Sequence, residues 1–136
     1  MKSKLTFQQS ITAGAMAGAA AAVINAILFF AFHSAGVLTD DIFIQPNQPL
    51  TIVPILISSI LPSIVGSIVF FLLEKYTNNG FGIFRILSII LLVLSFVNPF
   101  LGIPGVTTGY AVVLNVMHVV VAFSLLYFIN KKVQAA

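Results

Sequence analysis

Four stretches of this chain run for about twenty residues with almost no charge, long enough for a helix to cross the hydrocarbon of a bilayer. They lie at about 11–33, 50–73, 83–103 and 109–129. Only the third has a charge near its edge, Arg85, whose long stem can carry its guanidinium to the headgroups. Membrane β-strands would need alternating apolar and polar residues in runs of about ten, and these stretches do not alternate. Of the 136 residues 60% are hydrophobic and 7% charged, against about 25% charged in a soluble domain. So few charges cannot cover a water-exposed globule. The expectation is an all-α polytopic membrane protein, a four-transmembrane-helix bundle forming one transmembrane domain over residues 1–136, with membrane lipids as its surroundings.

The cations are placed asymmetrically. Lys2 and Lys4 precede the first span, Lys75 and Arg85 flank the second loop, and Lys131 and Lys132 follow the fourth span. The other two loops have no Lys or Arg, and the first of them carries Asp40 and Asp41. Cation-bearing loops stay cytoplasmic, so both termini are expected inside, in a multi-pass protein of the cell inner membrane. Six cations spread this way do not make a nucleic-acid surface. The N-terminal apolar run is too long for a signal peptide, whose core spans only about 7–15 residues. In the first outer loop Pro46, Asn47 and Pro49 are turn formers, and Ile42, Phe43 and Ile44 are placed to dip into the interface. The halves show no internal repeat of the kind secondary transporters carry.

Within the spans the polar residues fall at one depth. At 1.5 Å per residue, Asn25 lies about 12 Å below the outer end of the first helix. Ser58 and Ser59 lie about as deep in the second span, His118 about nine residues and Asn115 about six below the outer end of the fourth. Asn98 sits near the outer end of the third. Asn115 and His118, three residues apart, share a helix face that also carries Ala111 and Ala122. An unsatisfied amide or imidazole in lipid costs several kcal/mol, so this face should point into the bundle. It serves either as a pocket open to the outside or as interhelical glue, and depth matching sets His118 against Asn25, Ser58 or Ser59. His33, at the end of the first span, reads as a solvated interfacial residue.

Gly14 and Gly18 form a GxxxG pattern continued by Ala22 and Asn25, a flat groove suited to close helix contact, within the chain or between copies. Pro62 in the second span frees the Ser58 carbonyl and predicts a kink. Asn98 precedes Pro99 and should be biased out of helix. The two histidines differ in depth by roughly 13 Å, too far to hold a haem together. A zinc site needs three or four ligands, and the chain has no cysteine. No metal, no cofactor and no catalytic constellation is expected.

Three stretches carry a resemblance: Ser95 with Asn98-Pro99 ending the third helix, the Met117–Ala122 run "MHVVVA", and the proline within "LPSIVG" of the second helix. In this layout the whole chain resembles a family of small bacterial four-helix integral membrane proteins classed as a domain of unknown function. The resemblance implies a four-helix fold and no activity. The expected function is binding of a small molecule or lipid in an outward-facing polar pocket. The alternatives are a transport or channel subunit using His118, and a structural membrane subunit. A homo-oligomer or a membrane-protein partner fits any of these.

Overall fold

The computed structural model describes residues 4–136; Lys2, one of the cations used for orientation, lies outside them. Helix α1 runs Phe7–Ser34. It starts at a capping box, where Thr6 Oγ1 accepts from the Gln9 N–H (3.1 Å) and Gln9 Oε1 accepts from the Thr6 N–H (2.9 Å). Each of those N–H groups lies where no helical carbonyl can reach it. Gly36, in the left-handed region at φ 77°, turns the chain after α1. A short antiparallel hairpin follows, β1 (Phe43–Gln45) and β2 (Gln48–Pro49). Asn47 takes its turn at φ 58°, a conformation asparagine tolerates better than most residues. The turn formers were legible, but the hairpin was not.

Helix α2 spans Ile52–Tyr76 and continues through Pro62. The Asn79 side chain accepts from the Gly82 N–H (3.2 Å) and caps α3, Gly80–Ser95. The third span is therefore two pieces, because the chain breaks at Phe96–Val97 and resumes as the short helix α4, Asn98–Gly102. This corrects the expectation for Asn98. It opens a helix, with Pro99 in the first turn, where a missing N–H costs nothing. Thr107 Oγ1 accepts from the Tyr110 N–H (3.2 Å) at the start of α5, Thr108–Ala135, which carries Lys131 and Lys132 on its last turns. All four long apolar segments, α3 and α4 counted together, are long and apolar enough to cross a membrane. The protein is an all-α, multi-pass membrane protein.

The helices form a ring in which α1 packs on α2 and α5, and α3 packs on α2 and α5 without touching α1. The buried face of α1 is a line of small residues: Ser10, Ala13, Gly14, Ala17, Gly18, Ala21 and Ala22, continued by Asn25 and Phe29. Opposite it stand the buried serines Ser59, Ser63 and Ser67 of α2. Small residues facing small residues let two backbones approach closely, which is how helices associate in a solvent as apolar as their own side chains. A Cβ built on Gly14 would stand 2.8 Å from the Ser63 carbonyl oxygen, and one on Gly18 would stand 3.0 Å from Ile60 Cα. The Gly14–Gly18 groove is filled within the chain by α2.

Two apolar plugs close the bundle. At the hairpin end, Leu38, Ile42 and Leu50 from the loop pack with Phe29, Ile55, Tyr110, Val113 and Met117. At the other end Leu5, Phe70, Phe84, Leu125 and Ile129 pack together with Ala13 and Ala17. That second end carries every described cation, and Lys4 Nζ donates there to the Thr77 carbonyl (3.1 Å).

Candidate functional site

Between the plugs lies a layer of polar side chains centred on Asn25, which is 2% exposed. Its Nδ2 donates to Ser59 Oγ (3.0 Å) and to the Met117 carbonyl (3.3 Å), so one amide ties α1 to both α2 and α5. The Ser59 hydroxyl donates its own proton to the Ile55 carbonyl (2.8 Å) and is an acceptor toward Asn25. A carbonyl can only accept, so the amide group facing Met117 must be the nitrogen. That fixes the amide orientation and leaves Asn25 Oδ1 buried with no partner in the protein.

A half-open cavity of about 130 Å³ adjoins this amide. Its polar edge is Asn25, Ser58, Ser59 and His118, and its walls are mainly Ile44, Ile55, Leu114, Met117 and Val121. The α2 and α5 walls face each other across the bundle, the α1 amide sits at the back, and Ile44 of the hairpin reaches the rim. No residue of α3 lines it. The polar groups come together because Asn25, Ser59 and Met117 sit at the same height on three helices that run past one another in close contact.

His118 is half-buried and lines this cavity, but its hydrogen-bond partner is Ser95 of α3, Oγ to Nδ1 at 3.4 Å. Depth matching had pointed to Asn25, Ser58 or Ser59; these share the cavity with the imidazole without bonding it. Ser95 Oγ donates to the Leu92 carbonyl at 2.6 Å. With that proton engaged, its lone pair faces the ring, an arrangement that suits the imidazole tautomer carrying its proton on Nδ1. Asn115 does not line the cavity. Its Nδ2 donates to the Phe96 carbonyl (3.1 Å), where α3 breaks, and its Oδ1 is buried without a partner. Both polar residues of the α5 face thus hold the end of α3. Asn98 is exposed and stands apart from the cavity, its Oδ1 lying over Gly102. Of the residues expected to gather, Asn25, Ser58, Ser59 and His118 do so; Asn98 and Asn115 do not. Gly14, Gly18 and Ala22 lie on the buried α1 face leading to the amide. Pro62 faces outward, one turn beyond Ser58.

Two features escaped the sequence. His33 pairs with Asp40, Nε2 to Oδ1 at 3.1 Å, across the turn that leaves α1; a seven-residue separation through a glycine gives no periodic signal. Tyr110 is fully buried, and its hydroxyl has no partner. It gives no signal in the sequence because the loop that covers it, with Leu38 and Ile42, is not periodic. Among the described residues no group of three or more His, Cys, Asp or Glu is gathered that could hold a metal ion.

Searches of curated proteins and of solved structures return no match to this chain. A family profile does match, over residues 6–135, which take in every helix and the whole polar layer. The chain belongs to a family of unknown function, DUF6069.

Proposed function

We propose that this membrane protein binds a small molecule, or one end of a lipid, in the cavity between α2 and α5. The observation that carries the reading is the Asn25 amide oxygen: nearly solvent-inaccessible, fixed in orientation and without a partner, on a residue that lines a cavity. A buried acceptor left unsatisfied costs about 1–3 kcal/mol, a cost that a bound group would remove. The same polar layer serves as interhelical glue through Asn25 Nδ2, so the site and the glue use different atoms of one side chain. A conduction role has less support. The plug of Phe70, Phe84, Leu125 and Ile129 fills the other half of the bundle with apolar side chains. We also propose that the cationic end is cytoplasmic, in a bacterial inner membrane, so that both termini lie inside and the cavity opens toward the outer leaflet.

Blocking the cavity tests the reading. Val121→Phe puts an aromatic ring into it. The wild type, purified from membranes in mild detergent, should retain a small molecule or lipid, seen by mass spectrometry, that Val121→Phe has lost while melting within a few degrees of the wild type. Identical complements of bound molecules on the two proteins would refute it. Reporter fusions after Ala136 and beside Asp40 should give opposite signals; equal signals would overturn the orientation.

A further inference from the structure

The protons around the cavity are nearly all engaged by the protein itself. Both N–H directions of Asn25 are taken, by Ser59 Oγ and by the Met117 carbonyl. The Ser59 hydroxyl proton goes to Ile55 and the Ser95 hydroxyl proton to Leu92. A neutral imidazole carries one N–H, and His118 directs it from Nδ1 to Ser95. What remains on the residues that line the cavity is a set of acceptors: Asn25 Oδ1, which is buried and unpartnered, and, in the tautomer that donates to Ser95, His118 Nε2. On the same turn Pro62 has no N–H to give the Ser58 carbonyl. Only the Ser58 hydroxyl can still donate. No charged side chain lines the cavity, and the remaining wall is aliphatic.

Resting on the binding role proposed above, we infer that the cavity selects an uncharged amphiphile that brings its own hydrogen-bond donor, a hydroxyl group on an alkyl chain or glyceride. The hydroxyl proton bonds Asn25 Oδ1 or His118 Nε2, and the hydroxyl oxygen accepts from Ser58. Ketones, quinones, ethers, carboxylates and phosphates present acceptors to acceptors and are disfavoured. A protonated amine has donors, but it would enter a low-dielectric site with no counter-charge, which is costly. An apolar protein cavity of roughly 150 Å³ holds a molecule the size of benzene. A cavity of about 130 Å³ therefore seats only the hydroxyl end and the first few carbons. The rest of the chain leaves through the open side into the acyl region.

The test uses the full chain in one fixed detergent and an analogue of 1-dodecanol that carries a diazirine near its hydroxyl end. Photolabelled peptides are mapped by mass spectrometry, with competition by 1-dodecanol, its methyl ether or dodecanoate at equal mole fraction in the micelle. Labelling is expected on the α2 segment 54–59 and the α5 segment 114–121. The alcohol should compete about three- to tenfold better than the ether, the worth of one hydrogen bond, and dodecanoate should compete least. In His118→Leu that preference should fall while labelling persists. Equal competition by alcohol and ether would overturn donor selection and leave the binding role standing. Labelling no stronger than in Val121→Phe would overturn both. Because the competition series uses the wild type, the inference remains testable if a variant fails to fold.

Discussion

Adding one methyl group at Gly14 should loosen the α1–α2 contact, and the same change at Gly18 should be nearly silent. A Cβ at Gly14 would meet Ser67 Cβ at 2.6 Å and the Ser63 carbonyl oxygen at 2.8 Å; one at Gly18 would meet Ile60 Cα at 3.0 Å and Ser63 Cβ at 3.4 Å. Carbon contacts are optimal near 3.5–4.0 Å. The helices must therefore part by roughly 0.7–0.9 Å for Gly14→Ala and by about 0.5 Å or less for Gly18→Ala. The Ser67 hydroxyl can rotate away, but the Ser63 carbonyl is held in α2. Overpacking of this size costs about 1–3 kcal/mol, and alanine recovers up to about 1 kcal/mol of helix propensity. Gly14→Ala should come out about 1–2 kcal/mol less stable and Gly18→Ala within about 1 kcal/mol of the wild type. Reversible denaturation in mixed detergent micelles, followed by circular dichroism, measures both. Ser67→Gly should restore part of the Gly14→Ala loss by removing one of the two clashing groups. The packing argument fails if Gly18→Ala is the worse variant, or if Gly14→Ala breaks an oligomer while the monomer melts unchanged. That second result would place the groove between copies.

Asn25→Leu removes two hydrogen bonds but also an unpartnered oxygen, and leaves Ser59 and Met117 with their own helical bonds, so it should cost no more than about 1 kcal/mol. A loss above about 3 kcal/mol in the same denaturation assay would make the amide mainly a structural pin. Tyr110→Phe deletes a buried hydroxyl with no partner and should be neutral or raise the melting temperature; a clear drop would reveal a partner for that oxygen. Asp40→Asn should change stability by less than about 0.5 kcal/mol, because the two side chains of the His33–Asp40 pair are 41% and 67% exposed. A larger change would mean that the turn is held by that pair.

The helices were legible because a membrane leaves little choice: a twenty-residue apolar run must satisfy its backbone internally, so length alone gives four spans. What interrupts a span was harder to read. Pro62 lies inside a continuous helix, whereas the third span breaks at Phe96–Val97, two residues before Pro99. A proline in the first turn of a new helix looks in sequence like one that ends the old helix. The site was legible by depth and not by azimuth. Counting residues placed Asn25, Ser58, Ser59 and His118 at one level. Which neighbour each would bond depends on the rotation of each helix, and residue periodicity is uninformative when nearly every position is apolar. Hence Ser95 rather than an α1 or α2 group meets His118, and Asn115 turns to the Phe96 carbonyl.

A layer that served only to join helices would be expected to balance donors against acceptors, since each unmatched group in lipid costs free energy. Here the balance is broken in one direction. Serine 59, Ser63, Ser67 and Ser95 each return their proton to a carbonyl of their own helix, so none is free to donate to Asn25 Oδ1. A donor within reach of that oxygen would have cured the deficit at little structural expense. Asn25 instead lines a cavity whose other walls are mainly aliphatic. The serines make α2 narrow enough for α1 to approach, and the same back-bonding removes them as donors. Close packing of α1 on α2 and the acceptor-rich cavity are therefore two consequences of one choice of residue. Ser59→Ala should separate them: it keeps the small side chain and so the α1–α2 spacing, but it removes one of the two acceptors of Asn25 Nδ2 and leaves the Met117 carbonyl alone to hold the amide. If the inference about the ligand is right, Ser59→Ala melts close to the wild type yet loses much of the preference for the alcohol over its methyl ether. An unchanged preference would show that the Asn25–Ser59 bond plays no part in selecting the donor.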